Sequence, residues 1–155
     1  MTEPMVRRAR REDRDRLAAM RAMLWPDGSL EEFGEELDVW FSTGLNGTLP
    51  GVIFVAEAEP GNLVGFLEAG LRSHADGCDT SRPVGFIEGW FVREDFRGCG
   101  IGRKLIEAAE EWARAQRCRE MASDALIDNE ESVSAHAACG FEEVDRCVHF
   151  RKALD

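Results

Sequence analysis

Apolar and polar positions along this chain switch between a period of two and a period near 3.6, and the switches mark its elements. A short run at residues 5–8 predicts a first strand. In DRDRLAAMRAMLW, Leu17, Met20 and Leu24 recur at helical spacing until Pro26 stops them, which predicts a first helix. Ser29 followed by Glu32 has capping-box spacing, and Leu30, Phe33, Leu37, Trp40 and Phe41 line one face of a second helix ending near Gly44. Three strand-like segments follow: GVIFVAEA from 51, NLVGFLEAGL from 62 and VGFIEGWFVRE from 84. With a turn at residues 59–62, they predict an antiparallel meander. From Arg103, RKLIEAAEEWARAQ puts Leu105, Ala109, Trp112 and Ala113 on one face and pairs Glu110 with Arg114 at i,i+4. A short strand REMASDA comes next, then a helix over EESVSAHAA capped by Asn129 and ended by Gly140. A last strand or pair of strands runs through FEEVDRCVHFRKA.

The order β, α, α, β, β, β, α, β, α, β predicts an α/β (α+β) fold, a mixed, mostly antiparallel sheet flanked by about four helices. At 155 residues the chain is expected to form a single domain over 1–155. A hydrophobic share of 44% with four Trp and nine Phe supports a packed core. No apolar run approaches the ~20 residues that span a bilayer, and MTEPMVRRAR lacks a secretory pattern, so a cytoplasmic protein without membrane partners is expected. Five cysteines without a CxxC pair suit reduced thiols better than a disulfide framework or a metal site. A net charge of −11 argues against nucleic acid and toward a cationic substrate, although acidic chains are also common for solubility alone.

Between the strand ending near residue 94 and the helix that follows lies RGCGIG, residues 97–102. Glycines admit sharp turns and bring backbone N–H groups close to an anion, and the helix dipole favours negative charge there. A dinucleotide fingerprint fails because Arg103 stands where its third glycine belongs, and no Walker sequence is present. What remains is Arg97-x-x-Gly100-x-Gly102. This resembles the acetyl-coenzyme A loop of the GNAT N-acetyltransferases, whose motif is Gln/Arg-x-x-Gly-x-Gly/Ala. The resemblance implies a GNAT fold with acetyl-coenzyme A as cosubstrate and no metal. It puts Arg97, Gly98, Cys99, Gly100, Ile101, Gly102 and Arg103 around the pyrophosphate, Trp90, Phe91 and Val92 along the acetyl end, and Asn129 at the pantetheine arm or the acetyl end.

LWPDG (24–28), SRPVGFIEGWFV (81–92), ASDALIDN (122–129) and HAACGFEEVD (136–145) are similar to the dimeric aminoglycoside 6'-N-acetyltransferases. That resemblance implies acetyl transfer to the 6'-amino group of aminoglycoside antibiotics by direct attack, conferring resistance, in a homodimer. It carries antibiotic binding to Trp25, Glu88, Asp124 and Asp145, and the polar loop 72–83 adds Asp76 and Asp79 as acids that could attract a polycation. Acetylation needs a neutral amine, so a carboxylate base is expected: Asp124 binds the reacting amine, and Glu88 orients the sugar or relays the proton. Where many family members carry a tyrosine that protonates the departing thiolate, this tyrosine-free chain has His136, a candidate acid or a surface histidine. The alternatives are acetylation of another small amine or a protein N-terminus, and a non-catalytic acyl-coenzyme A sensor.

Overall fold

The computed structural model describes residues 3–155. In chain order it contains β1 (Met5–Arg8), α1 (Arg14–Leu24), α2 (Leu30–Thr43), β2 (Leu45–Asn46), β3 (Leu49–Glu59), β4 (Asn62–Arg72), β5 (Val84–Val92), α3 (Ile101–Ala115), β6 (Met121–Ser123) and α4 (Glu130–Ala138). Single 3-10 turns at Arg11–Asp13 and Glu94–Phe96 lead into α1 and toward α3.

The sheet runs β1-β3-β4-β5-β6, with β2 curled back onto the start of β3. Every pairing is antiparallel except β5 with β6. Alternation along β3 decides which layer each residue serves. Val52, Phe54 and Ala56 pack beneath α3 with Leu105, Ile106, Ala109 and Trp112, while Ile53 and Val55 face α1 and α2 with Leu17, Phe33, Leu37 and Phe66. Burial of these side chains, at roughly 1.5–3 kcal/mol each, holds the helices to the two faces.

Most elements fall where the pattern puts them. Ser29 Oγ accepts the Glu32 N–H at 3.1 Å, and Gly44 closes α2 at φ 69°. Asn129 caps α4 by accepting the Ser132 N–H at 3.1 Å. Three expectations change. The third helix begins at Ile101, because the glycine loop runs straight into its first turn. The strand expected over REMASDA keeps only Met121–Ser123, which leaves Asp124 just past its end. Residues 142–155 carry an alternating pattern but pair with no strand among the described residues, and the outer edge of β6 is also unpaired. The β2 hairpin, with Gly47 at φ 71°, is too short for periodicity to reveal.

Two irregularities open the sheet. Parallel pairing of β5 with β6 lasts only from Gly85↔Met121 to Ile87↔Ser123, after which β5 continues to Val92 without a neighbour on that side. In the β4–β5 ladder Glu68 pairs with Gly89 and Ala69 with Ile87, so Glu88 is an extra residue, a β-bulge. Ile87 and Trp90, three residues apart, therefore both pack on the α3 side, which a regular strand does not permit.

Candidate functional site

Two cavities adjoin β5; their walls share no residue, and only one of them includes Glu88. One, about 330 Å³, follows the end of β5 into the glycine loop and is walled by Trp90, Phe91, Val92, Arg97, Gly98, Ile101, Gly102, Asn129 and Ser132. The other, about 490 Å³, lies between the α1–α2 layer and the sheet, with Arg21, Trp25, Glu36, Trp40, Glu68 and Glu88 on its walls. Leu24 lines the first and Trp25 the second, so the end of α1 forms the partition on one side while β5 forms it on the other.

The first cavity is bordered by backbone donors and a guanidinium. Gly98 and Gly100 have φ of 77° and 84°, a region that side-chain-bearing residues avoid, and so carry the chain from β5 into α3. The first hydrogen bond closing α3 runs from Lys104 N–H to Gly100 C=O at 3.1 Å, which leaves the amides of Ile101, Gly102 and Arg103 without an intrahelical acceptor. Arg97 brings the cation: its Nε donates to Val92 C=O at 2.8 Å and its Nη1 to Glu131 Oε1 at 3.1 Å. Arg103 reaches across to Ala138 C=O at 2.5 Å, so the loop's two arginines also fasten α4 to α3. At Gly102 a Cβ would lie 3.2 Å from Trp90 Cζ2, and Trp90 Nε1 donates to Gly102 C=O at 3.2 Å. The glycine lets the indole seal this end of the cavity. Cys99 is exposed and Gly100 turns the chain; neither lines the cavity itself.

Three carboxylates and one guanidinium line the second cavity. Glu88, turned by the bulge, accepts both Arg72 Nε at 3.0 Å and Nη2 at 2.9 Å, and Arg72 lies 3.5 Å over the Phe86 ring. Arg21 donates to Glu36 at 3.0 Å and to Glu68 at 2.7 Å through Nε, with Nη2 on the same Glu68 oxygen. Burial raises the Glu68 pKa against the pull of Arg21. Trp25, the residue that ends α1, offers its ring as an apolar wall and packs 6.1 Å from Phe33 and 6.3 Å from Phe66. Its edge lies so close over Gly89 that a Cβ there would come within 2.6 Å.

The remaining candidates divide. Asp124 is exposed, accepts no hydrogen bond among the described residues, and follows Ser123 directly. Because Ser123 pairs with Ile87, Asp124 stands one register step from Glu88 at the mouth of the gap between β5 and β6. His136 sits behind Ser132, with its Nδ1 2.7 Å from Ser132 C=O and its Nε2 2.7 Å from Ser123 Oγ. The carbonyl assigns the ring proton to Nδ1, so Nε2 accepts from the serine. Trp90 and Phe141 pack edge-on to the ring at 5.2 and 5.3 Å. Asp76, Asp79, Asp124, His136 and Asp145 line neither cavity. Asp79 closes its own loop by accepting Ser81 N–H at 2.8 Å and Ser81 Oγ at 2.7 Å, which holds its carboxyl below the ordinary range. Asp145 accepts Arg146 N–H at 2.8 Å within the unpaired C-terminal segment.

Sequence reasoning missed Arg21, Glu36 and Glu68. The signal was present for two of them. Arg21 falls between Leu17 and Leu24 on the buried stripe of α1, and Glu68 between Phe66 and Gly70 on the inward face of β4. Ionisable residues at core positions call for partners.

The Acetyltransferase (GNAT) family model matches residues 16–141. An aminoglycoside N(6')-acetyltransferase type 1 of Stenotrophomonas maltophilia is 40% identical over 98% of this chain and 95% of its own length. One from Klebsiella aerogenes is 39% identical over 99% of both. Among solved structures, AAC(6')-Iy in complex with the bisubstrate analogue CoA-S-monomethyl-acetylneamine superposes with a TM-score of 0.87 at 32% identity, over 99% of this chain and 100% of that one. The aminoglycoside 6'-N-acetyltransferase AAC(6')-Ih from Acinetobacter baumannii gives 0.85 at 30%, over 99% and 100%.

Proposed function

The chain belongs to the GNAT acetyltransferase family, and from that premise we propose that it acetylates the 6'-amine of aminoglycosides with acetyl-coenzyme A, conferring resistance to them. One observation carries the reading: a cavity beside free helix amides and a cavity lined by three carboxylates take neighbouring stretches of β5, at Trp90, Phe91 and Val92 and at Glu88. The cosubstrate supplies an acetyl thioester and a pyrophosphate. The free amides of Ile101, Gly102 and Arg103 with Arg97 fit the pyrophosphate, and the unpaired edge of β5 from Glu88 to Val92 fits the arm.

In the reaction the amine nitrogen forms a bond to the thioester carbon, the carbon–sulfur bond breaks, the nitrogen loses a proton and the thiolate gains one. Asp124 is the carboxylate free to take the amine's proton. Glu88, already held by Arg72, orients the sugar. Both nitrogens of His136 are engaged, so proton supply runs from its imidazolium form, which returns to the neutral ring, through a hydroxyl. Ser132, with Oγ 3.4 Å from Nδ1 and on the cofactor cavity's wall, is so placed. Trp25 stacks on the sugar, and the acids around it replace the hydration of ammonium groups.

Steady-state acetylation of kanamycin tests the reading. Saturable turnover that releases one coenzyme A per acetylated antibiotic is expected. No turnover, with activity on polyamines or peptides instead, would refute the substrate while leaving the family intact.

The homodimer rests on the C-terminal segment. Residues 142–155 are exposed, Phe150 by 92% and Leu154 by 86%, while β6 offers an unpaired edge. An unpaired segment of alternating pattern and a bare sheet edge in one chain are complementary surfaces on two copies. Light scattering is expected to give two chains per particle, and Phe150→Glu to shift the particle to one. A monomeric parent protein would overturn the assembly.

A further inference from the structure

We infer that Glu68 is a substrate-binding carboxylate, whose Oε2 receives an ammonium group of a polycationic amino sugar beside the reacting amine; this rests on the aminoglycoside reading above. Glu68 is 8% exposed, on the inward face of β4. Both of its bonds from Arg21, through Nε and Nη2, end on Oε1. Among the described residues Oε2 accepts none, yet the only buried side-chain N or O atom sealed off without a partner is Arg7 Nε. Oε2 therefore keeps access to the 490 Å³ cavity that Glu68 lines.

The opposite strand seats the Trp25 ring beside this carboxylate. Gly89 is the cross-strand partner of Glu68, and a Cβ there would lie 3.6 Å from Oε2 and would collide with Trp25. A carboxylate has room for about four hydrogen bonds, so Oε2, open to the cavity, can still accept. An ammonium there brings opposite charge to the bond, which a neutral sugar hydroxyl does not. The neighbouring acids are less suited. Glu88 is committed to Arg72 on both oxygens, and the Glu36 side chain is 64% exposed to water. Glu68 lies one strand from the bulge, about 5 Å away, a spacing that suits a second amine near the reacting one.

The test separates direct contact from bulk charge. Arg21→Met combined with Glu68→Met removes one charge of each sign, so the cavity's net charge is unchanged, and apolar replacement of a buried pair is usually tolerated. The double variant is expected to raise the kanamycin KM at least tenfold, with kcat within about threefold and the acetyl-coenzyme A KM unchanged. Glu68→Gln alone, which still accepts from Arg21, is expected to do the same and serves if the double variant does not fold. An unchanged kanamycin KM in a folded variant would make the pair purely structural and overturn the inference alone. Absence of kanamycin turnover in the parent protein would overturn both this inference and the reading beneath it.

Discussion

Replacing Asp124 by Asn is expected to lower kcat/KM for kanamycin at least a hundredfold while coenzyme A affinity stays within twofold. An alkylammonium with a pKa near 10 is almost wholly protonated at pH 7, so a positioned base contributes on the order of 10²–10⁴ in rate. Two carboxylates stand at the gap between β5 and β6, and their partners distinguish them. Glu88 is gripped by Arg72 at 3.0 and 2.9 Å, whereas Asp124 has no partner among the described residues. Glu88→Gln should therefore cost less in kcat and more in KM. The pH profile supplies an independent readout. Without the base, the rate follows the fraction of free amine, so log kcat/KM for Asp124→Asn should climb with unit slope through pH 9, where the parent levels off. A variant with the parent's profile shape and a loss confined to KM would make Asp124 a binding group only.

What the chain revealed in advance follows the range of the interactions involved. RGCGIG was legible because an anion held by backbone amides needs glycine at particular steps, and those steps are local: φ 77° at Gly98, φ 84° at Gly100 and a free first turn of α3. The caps at Ser29 and Asn129 were legible for the same reason, each bond spanning three residues. The bulge at Glu88 was not, because it is a relation between strands rather than a property of one. Arg21 and Glu68 are 47 residues apart, and only the fold makes them a pair. Asp76, Asp79 and Asp145 looked like further acids for a polycation, yet Asp79 spends its carboxylate on a local turn and Asp145 lies in a segment whose pattern is strand but which pairs with no strand among the described residues. Periodicity specifies that a strand buries one face; it does not specify whose sheet it joins.

Arg21→Met on its own is expected to destabilise the fold by about 3–5 kcal/mol at pH 8, because it leaves Glu68, only 8% exposed, without the cation that compensates its burial. For a chain of this length that is a fall in Tm of roughly 10 °C or more. The sign of the pH dependence follows from the carboxyl. Burial already raises the Glu68 pKa above its ordinary value, and loss of the guanidinium raises it further. A carboxyl whose folded pKa lies above its unfolded value, about 4.3, costs nothing below that value. Its cost grows as the pH rises toward the folded pKa and is constant beyond it. The gap between parent and variant should therefore narrow at pH 5 and be widest at pH 8. Adding Glu68→Met to Arg21→Met should recover most of the loss at pH 8, since the charge left stranded is then gone. Thermal melts of the three proteins at the two pH values decide it. An equal gap at both, unrelieved by the second substitution, would assign the cost to the packing of the arginine stem instead of to the buried charge.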